Sequence, residues 1–253
     1  MISRRAPRLA LVLLVACSPG LALAPVAHAA RAASAPPWRE LFNGRDLAGW
    51  KLVGGGSKVW IEDGAIVGHM VRGTEEHTLI TTDESFGDFI LEAECWDVGA
   101  LHTGFLLRCA VAPADAKIRL FGYQIKIDPT PRSWTGGIFD DFGKSWTWMY
   151  DLENDARARA AYRHGEWTRF RVEAIGRAIK VWVNGVPVTH LLDDKYPRGP
   201  LALKVHSLPA SAKAEAETYR VHFRNLRIIT ENPARFAQPM DLPGRAANPP
   251  PAR

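Results

Sequence analysis

The sequence predicts an all-β domain built as a sandwich of two antiparallel sheets. Six stretches between residues 89 and 206 alternate apolar and polar side chains with a period of two. This alternation is typical of strands that turn one face to a core and the other to solvent. Turn-forming residues separate the stretches, and Asn184-Gly185 is the pattern of a tight hairpin. Long helical periodicity is missing, and only residues 151–162 could form a helix, within a loop insertion.

The N-terminal segment predicts a signal peptide and therefore export to the periplasm or the cell exterior. Three arginines within the first eight residues precede an apolar run at residues 9–16, which is too short to span a bilayer. Two processing routes fit. Ala-His-Ala at residues 27–29 suits ordinary signal cleavage, whereas residues 14–17 resemble a bacterial lipobox in which Cys17 would be lipidated. The lipobox alternative predicts a lipid anchor.

Charge and hydropathy indicate neither a nucleic-acid partner nor a transmembrane segment. The net charge of the chain is +5, and removal of the three leader arginines leaves +2, so the basic pI does not indicate a nucleic-acid partner. No run of 18 apolar residues exists, so no transmembrane segment is expected. The predicted organisation is a leader at 1–29, a linker at 30–37, a sandwich at 38–230 and a Pro-rich tail at 231–253. The tail is expected to be an extended coat or disordered.

Short motifs follow one another along the predicted sandwich. The first is LFNGRDLAGW at residues 41–50, a turn followed by a Gly-Trp pair. Further motifs are WIEDGAIVG at 60–68, FGDFILEAE at 86–94, TGFLLR at 103–108 and GYQIKID at 122–128, with shorter ones at 135–138, 165–167, 181–185, 199–203 and 223–228. The series resembles the 3-keto-disaccharide hydrolase family. The resemblance implies a concanavalin A-like jelly roll and an enzyme that cleaves 3-keto-glycosides or 3-keto-disaccharides.

Ionisable and polar side chains are concentrated at strand positions that would face away from the core. The set comprises Glu92, Glu94, Trp96, Arg108, Gln124, Lys126, Asp128, Lys204 and His206. A solvated outer face explains any single member. Their concentration instead favours a sugar groove on one sheet, because interacting ionisable groups often gather at functional sites.

The resemblance implies chemistry on a sugar already oxidised at C3. The ketone acidifies the C2 proton, a base removes it, the enolate expels the C1 substituent, and water adds back. This reaction needs a base, a partner for the enolate oxygen and an acid. The expected roles are base for Glu94 or His206, oxyanion partner for Arg108 and Lys126, and orienting group or acid for Asp128 or Glu92.

Substrate contacts are predicted from the same face and from an aromatic stretch. That stretch holds Trp134, Phe139, Phe142, Trp146, Trp148 and Tyr150, which could stack on sugar rings or form a small core of their own. The predicted substrate-binding residues are Glu92, Trp96, Gln124, Trp134 and Lys204.

Three alternatives stay open. A divalent metal could bind His206, Asp128, Glu94 and His102, although their spacing matches no recognised metal motif. Cys95 and Cys109 share core-facing parity, so they are either a disulfide or two small buried hydrophobes. The domain could also be a non-catalytic carbohydrate-binding module, or a structural lipoprotein domain if Cys17 is lipidated.

Overall fold

A computed structural model describes residues 35–99, 101–112, 120–140 and 147–249. The predicted leader, both candidate processing sites and Cys17 lie outside the described residues, as do Phe142 and Trp146. The strands of the described residues are β1 Arg39–Glu40, β2 Trp50–Val53, β3 Lys58–Glu62, β4 Ala65–His69, β5 Thr78–Phe86, β6 Phe89–Val98, β7 Thr103–Val111, β8 Leu120–Ile127, β9 Ile138–Asp140, β10 Thr147–Tyr150, β11 Thr168–Ile175, β12 Ala178–Val183, β13 Val186–Leu192, β14 Gly199–Val205, β15 Arg220–Ile229 and β16 Arg245–Ala246.

These strands form two sheets, as the alternation predicts. The nine-stranded sheet has the order β16-β13-β12-β11-β6-β15-β4-β3, and β1 also pairs with β15. The seven-stranded sheet has the order β10-β9-β8-β7-β14-β5-β2. Among the pairings between the strands given above, only β13 with β16 is parallel. The all-β sandwich predicted from the sequence is therefore confirmed.

One apolar core fills the space between the two sheets. Phe105 of the seven-stranded sheet contacts Phe170 and Phe223 of the nine-stranded sheet, with ring centroids 5.1 and 5.6 Å apart. The edge-to-face geometry is the one that aromatic pairs prefer. Burial of each such side chain stabilises the fold by about 1.5–3 kcal/mol. Because each sheet gives one face to this core, its other face points outward.

Local signals in the sequence account for the hairpins and the short helix. Asn184 and Gly185 both have positive φ values, 49° and 81°, as a tight turn between β12 and β13 requires. Helix α1 spans only Ala156–Arg159, inside the predicted range, and the Asp155 side chain caps it by accepting a hydrogen bond from the Ala158 N–H. No helix in the described residues is long and apolar enough to cross a membrane.

A bulge in β7 reverses the alternation that the sequence suggests. Arg108 has a φ of 50°, and the register with β8 shifts between Leu107 and Ala110. Leu107, before the bulge, faces the core. Cys109, after it, packs on the outward side in a small apolar cluster with Leu106. The predicted shared parity of Cys95 and Cys109 is wrong. Both are free, buried thiols, which confirms the alternative of two small hydrophobes.

The described part of the C-terminal tail is an ordered coat. It contains a 3₁₀ helix at Pro233–Phe236 and strand β16, which pairs with the edge strand β13. Asn248 donates a side-chain hydrogen bond of 2.9 Å to the Trp148 carbonyl oxygen. Through these contacts the described tail residues lie against β10 and β13.

Candidate functional site

The outward face of the seven-stranded sheet brings together part of the predicted set. Strand register places Lys204 of β14, Gly104 of β7 and Lys126 of β8 side by side in one row. The alternation puts neighbouring polar side chains on the same outward side. We call this outward face the lysine face and define it by Gln124, Lys126, Asp128, Lys204 and His206.

Gly104 separates the two lysines without a side chain of its own. Its φ is +153°, and a Cβ at this position would lie 2.1 Å from the Ile125 carbonyl oxygen, so only glycine fits. Lys204 Nζ donates to Gln124 Oε1 at 3.3 Å, and both lysines are buried. Two cationic groups are thus fixed on rigid strands, an arrangement suited to stabilising a developing anion.

His77, just before β5, and His206, just after β14, have opposite tautomers. The rings of His77 and His206 lie 4.3 Å apart, centroid to centroid. The Ser207 N–H donates to His77 Nδ1 at 2.9 Å, so the neutral His77 ring carries its proton on Nε2. His206 Nδ1 lies 2.6 Å from the Ser207 carbonyl oxygen, which only accepts, so His206 Nε2 holds the free lone pair. His77 is therefore a donor at Nε2 and His206 is a base.

Both histidines are neutral at pH 7. Burial is the main cause that lowers the pKa of His77 to about 2 and the pKa of His206 to about 4. The positive charges of Lys204 and Lys126 add to the lowering in both cases. The lone pair of His206 is thus available at neutral pH.

Asp128 organises the loop that follows β8. Its carboxylate accepts hydrogen bonds from Thr130 Oγ1 at 2.7 Å and Arg132 Nε at 2.8 Å. His102 Nδ1 lies 3.2 Å from Asp128 Oδ1, at ion-pair distance when the imidazole is protonated. Burial alone would raise the pKa of Asp128, but its contacts with His102, Thr130 and Arg132 together lower it well below its usual range. Asp128 is therefore an ionised positioning group.

Part of the predicted aromatic stretch borders the lysine face. Lys126 Nζ lies 4.4 Å from the centroid of the Phe139 ring. The Phe139 and Trp148 centroids are 5.3 Å apart, and Trp148 meets Trp134 edge-on at 4.9 Å. The Arg132 guanidinium lies 4.9 Å from the centroid of each Trp ring. Trp134 and Trp148 are half-buried, so each offers part of its surface to a ligand.

Three predicted site residues lie on the opposite side of the molecule. Glu92, Glu94 and Trp96 alternate outward on β6, which belongs to the nine-stranded sheet. The prediction that they share one face with Lys126 and His206 is wrong. Alternation tells which side chains leave the core but not which of the two sheets carries them, so Glu94 is not placed to act as the base beside the lysines.

Arg108 also lies outside the lysine face. Its positive φ at the bulge turns the side chain into a buried position. There it donates to the Gly87 carbonyl oxygen at 2.8 Å and to the Gly176 carbonyl oxygen at 2.9 Å, and its Nη2 lies 3.2 Å from Asp88 Oδ1. The guanidinium ties strand ends together, so the predicted oxyanion role of Arg108 is replaced by a structural one.

His77 is the member of the site that sequence reasoning misses. It precedes β5 in a segment without apolar alternation, so no strand pattern places it on a face. Its partner is the backbone of Ser207, far away in sequence.

The predicted metal ligands are not brought together. Within the described ranges no group of three or more His, Cys, Asp and Glu residues is arranged to hold a metal ion.

The architecture defines a concanavalin A-like jelly roll, and solved structures share it. A candidate glycosyl hydrolase from Parabacteroides distasonis superposes with a TM-score of 0.54 at 20% identity, covering 77% of this chain and 94% of the other. The carbohydrate-binding module CBM66 from Bacillus subtilis gives 0.50 at 18%, covering 70% and 93%. A β-glucanase from Bacillus licheniformis gives 0.51 at 12%, covering 79% and 100%. At these identities the likeness is one of fold.

The family follows from the sequence match. The chain belongs to the 3-keto-alpha-glucoside-1,2-lyase-like domain family, whose sequence profile matches residues 37–229. The resemblance inferred from the motif series is therefore confirmed. A comparison with curated proteins found no match.

Proposed function

We propose that this chain cleaves 3-keto-glycosides at the lysine face, by elimination across C1 and C2 followed by hydration. The family supports chemistry on an oxidised glucoside. The observation that carries the proposal is the pair of opposite tautomers of His77 and His206 beside Lys126 and Lys204. The reaction requires a base and an oxyanion partner, and these four side chains supply both.

The first step transfers the C2 proton to His206. Nε2 of the neutral ring accepts the proton, and the electron pair of the C2–H bond forms an enolate whose charge lies on the C3 oxygen. The Nε2–H of His77 and the ammonium groups of Lys126 and Lys204 stabilise that oxygen. Because these groups are held by strands and by backbone hydrogen bonds, they need little reorganisation when charge develops.

The second step breaks the C1–O bond and the third adds water. The electrons of the enolate restore the C3 carbonyl and form a C1=C2 double bond as the C1–O bond breaks, and the leaving oxygen takes a proton from solvent. Water then adds its oxygen to C1 and returns one proton to solvent. C2 takes a proton from His206, whose Nε2 proton exchanges with solvent, while ionised Asp128 positions the loop after β8. The net result is hydrolysis of the glycosidic bond, with half-buried Trp134 as a stacking surface for the sugar.

Deuterium incorporation tests this mechanism directly. The protein is incubated in D2O with 3-keto-trehalose, with unoxidised trehalose as the matched control, and with and without a chelator. We expect 3-ketoglucose with deuterium at C2 from the oxidised substrate, and no cleavage of trehalose. Cleavage without C2 exchange would contradict the proposed proton transfer.

A non-catalytic carbohydrate-binding module is the second candidate. The fold likeness to the carbohydrate-binding module from Bacillus subtilis favours it. A binding module needs aromatic surfaces and hydrogen-bonding groups, but no base beside an oxyanion partner. Saturable binding of 3-keto-trehalose without turnover or C2 exchange would select this alternative.

We also propose that the chain is exported and processed at its N-terminus. The arginines, the apolar run and the two candidate processing sites support export. Mass spectrometry of the protein from its native host distinguishes the routes. A mature chain that begins after residue 29 indicates ordinary cleavage, and a lipidated Cys17 at the N-terminus indicates an anchor. An intact leader contradicts both.

A further inference from the structure

The outward face of the nine-stranded sheet carries two consecutive Arg–Glu–Arg rows. In register, Glu92 of β6 stands between Arg171 of β11 and Arg227 of β15. Glu94, two residues further along β6, likewise stands between Arg169 and Arg224. We call this surface the arginine–glutamate face and define it by these six residues.

Ion pairs hold the two rows together. Glu92 accepts hydrogen bonds from Arg171 Nη1 at 2.9 Å and from Arg227 Nη2 at 2.6 Å. Glu94 accepts one from Arg224 Nε at 2.8 Å, while Arg169 Nε lies 3.9 Å away from it and its side chain is 76% exposed. The carboxylates are thus neutralised by their neighbours, and Arg169 projects hydrogen-bond donors toward solvent.

A bulge opens a cavity between the rows. The register of β15 against β6 shifts between Arg224 and Arg227, and Asn225 within the shift has a φ of 52°. The cavity has a volume of about 490 Å³ and is lined by Glu40, Glu92, Glu94, Arg169, Asn225 and Arg227. Its size falls within the range of about 300–1,000 Å³ that small-molecule sites occupy.

Two aromatic rings lie against arginines of the arginine–glutamate face. The Arg227 guanidinium lies 4.6 Å from the Trp38 ring centroid, and the Arg224 guanidinium lies 3.7 Å from that of Trp167. These distances are those of cation–π contacts, which fix the rings relative to the polar lining. Trp38 and Trp167 are only partly buried, so each residue keeps exposed surface.

We propose that this cavity is a second binding site, for an uncharged glycan, separate from the lysine face. Its lining offers both carboxylate acceptors and guanidinium donors, whose charges largely compensate one another. A charged ligand would be repelled by the lining groups of its own sign. Sugar hydroxyl groups, in contrast, can donate hydrogen bonds to the carboxylates and accept them from the guanidinium groups. The Trp rings that contact Arg227 and Arg224 would stack on the apolar faces of sugar rings. The site would hold a polymeric substrate while a different part of it is processed.

Calorimetric titration with unoxidised cellohexaose, laminarihexaose and maltohexaose tests the proposal. The disrupting variant combines Arg169→Ala with Asn225→Gly, because Arg169 is exposed and glycine keeps the left-handed backbone at 225. Arg72→Ala is the matched control, since it removes an exposed arginine from an ion pair elsewhere. Lys204→Met reports on binding at the lysine face. Circular dichroism checks the fold of each variant.

We expect the wild type to bind at least one hexaose. The double variant should bind it about tenfold more weakly, equivalent to about 1.4 kcal/mol. Arg72→Ala and Lys204→Met should bind as the wild type does. Absence of binding to all three probes overturns the proposal, and so does weakening by Lys204→Met without weakening by the double variant. Because the probes are unoxidised, neither result depends on turnover at the lysine face.

Discussion

The two outer faces of the sandwich both carry ionisable side chains in mid-strand but differ in electrostatic organisation. On the arginine–glutamate face each central carboxylate lies between two arginines, which neutralise its charge. On the lysine face two buried lysines stand beside two buried histidines, and the proximity of like charges helps to keep the histidines neutral. The comparison teaches that charge in mid-strand is not itself a sign of catalysis. The strand register decides whether charges neutralise each other or activate a neighbour.

The largest expected effect separates the two faces by activity. His206→Gln removes the proposed base, so turnover of 3-keto-trehalose should fall by about 10²–10⁴-fold. Glu94→Gln alters the other face and should change turnover by less than about twofold. Steady-state rates and circular dichroism of both variants check this difference. If Glu94→Gln abolishes turnover in a folded protein, the assignment of the faces is reversed.

Replacement of the lysines should have the next largest effect. Lys126→Met and Lys204→Met each remove a cation that would stabilise the enolate, and the expected loss in kcat is about 10²–10³-fold. Arg227→Met removes a cation of similar length from the arginine–glutamate face and serves as the control, with kcat unchanged. Equal losses in all three variants would indicate a general stability effect and contradict the special role of the lysine face.

The pH dependence of activity should reflect the burial of His206. Since its pKa is lowered to about 4, the base form persists down to that pH. The value of kcat/KM should therefore stay constant as pH falls through 6.5, where an exposed histidine is protonated, and decline only near pH 4. A decline centred on pH 6.5, measured under conditions where the protein stays folded, would exclude His206 as the base.

A smaller effect is expected on stability at the arginine–glutamate face. Glu92→Gln removes the anion shared by Arg171, whose side chain is 12% exposed, and Arg227. The free energy of unfolding should fall by about 1 kcal/mol, because Arg171 keeps its ion pair with Glu173 and loses only the charge of Glu92. Urea denaturation measures this loss. Arg163→Gln, which alters an exposed ion pair, should change stability by less than about 0.5 kcal/mol.

The sequence was sufficient for the fold and for about half of the site. Local alternation predicts β6, β8, β11, β12 and β14, and the Asn184-Gly185 pair predicts its hairpin, because both signals are properties of neighbouring residues. Alternation also predicts that Gln124, Lys126, Asp128, Lys204 and His206 face away from the core. It does not predict that these residues share a sheet or that Glu94 lies on the other one, because sheet membership depends on the pairing of distant strands.

Two further features depended on backbone geometry that composition does not reveal. The bulge at Arg108 reverses the face of every residue after it in β7, so Cys109 and Arg108 were assigned to the wrong sides. His77 joins the site through the Ser207 backbone across the fold. The boundaries of the leader, the linker and the tail, as well as export, stay predictions.

The tail strand β16 has a consequence for solubility. Its parallel pairing with β13 covers part of an edge strand whose N–H and C=O groups could otherwise pair with another molecule. A chain ending after residue 230 should keep its circular dichroism spectrum yet self-associate in a concentration-dependent way, measurable by light scattering. Self-association would indicate that the proline-rich tail prevents edge-to-edge pairing at β13. A truncated chain that stays monomeric would show that β13 does not need the tail for this.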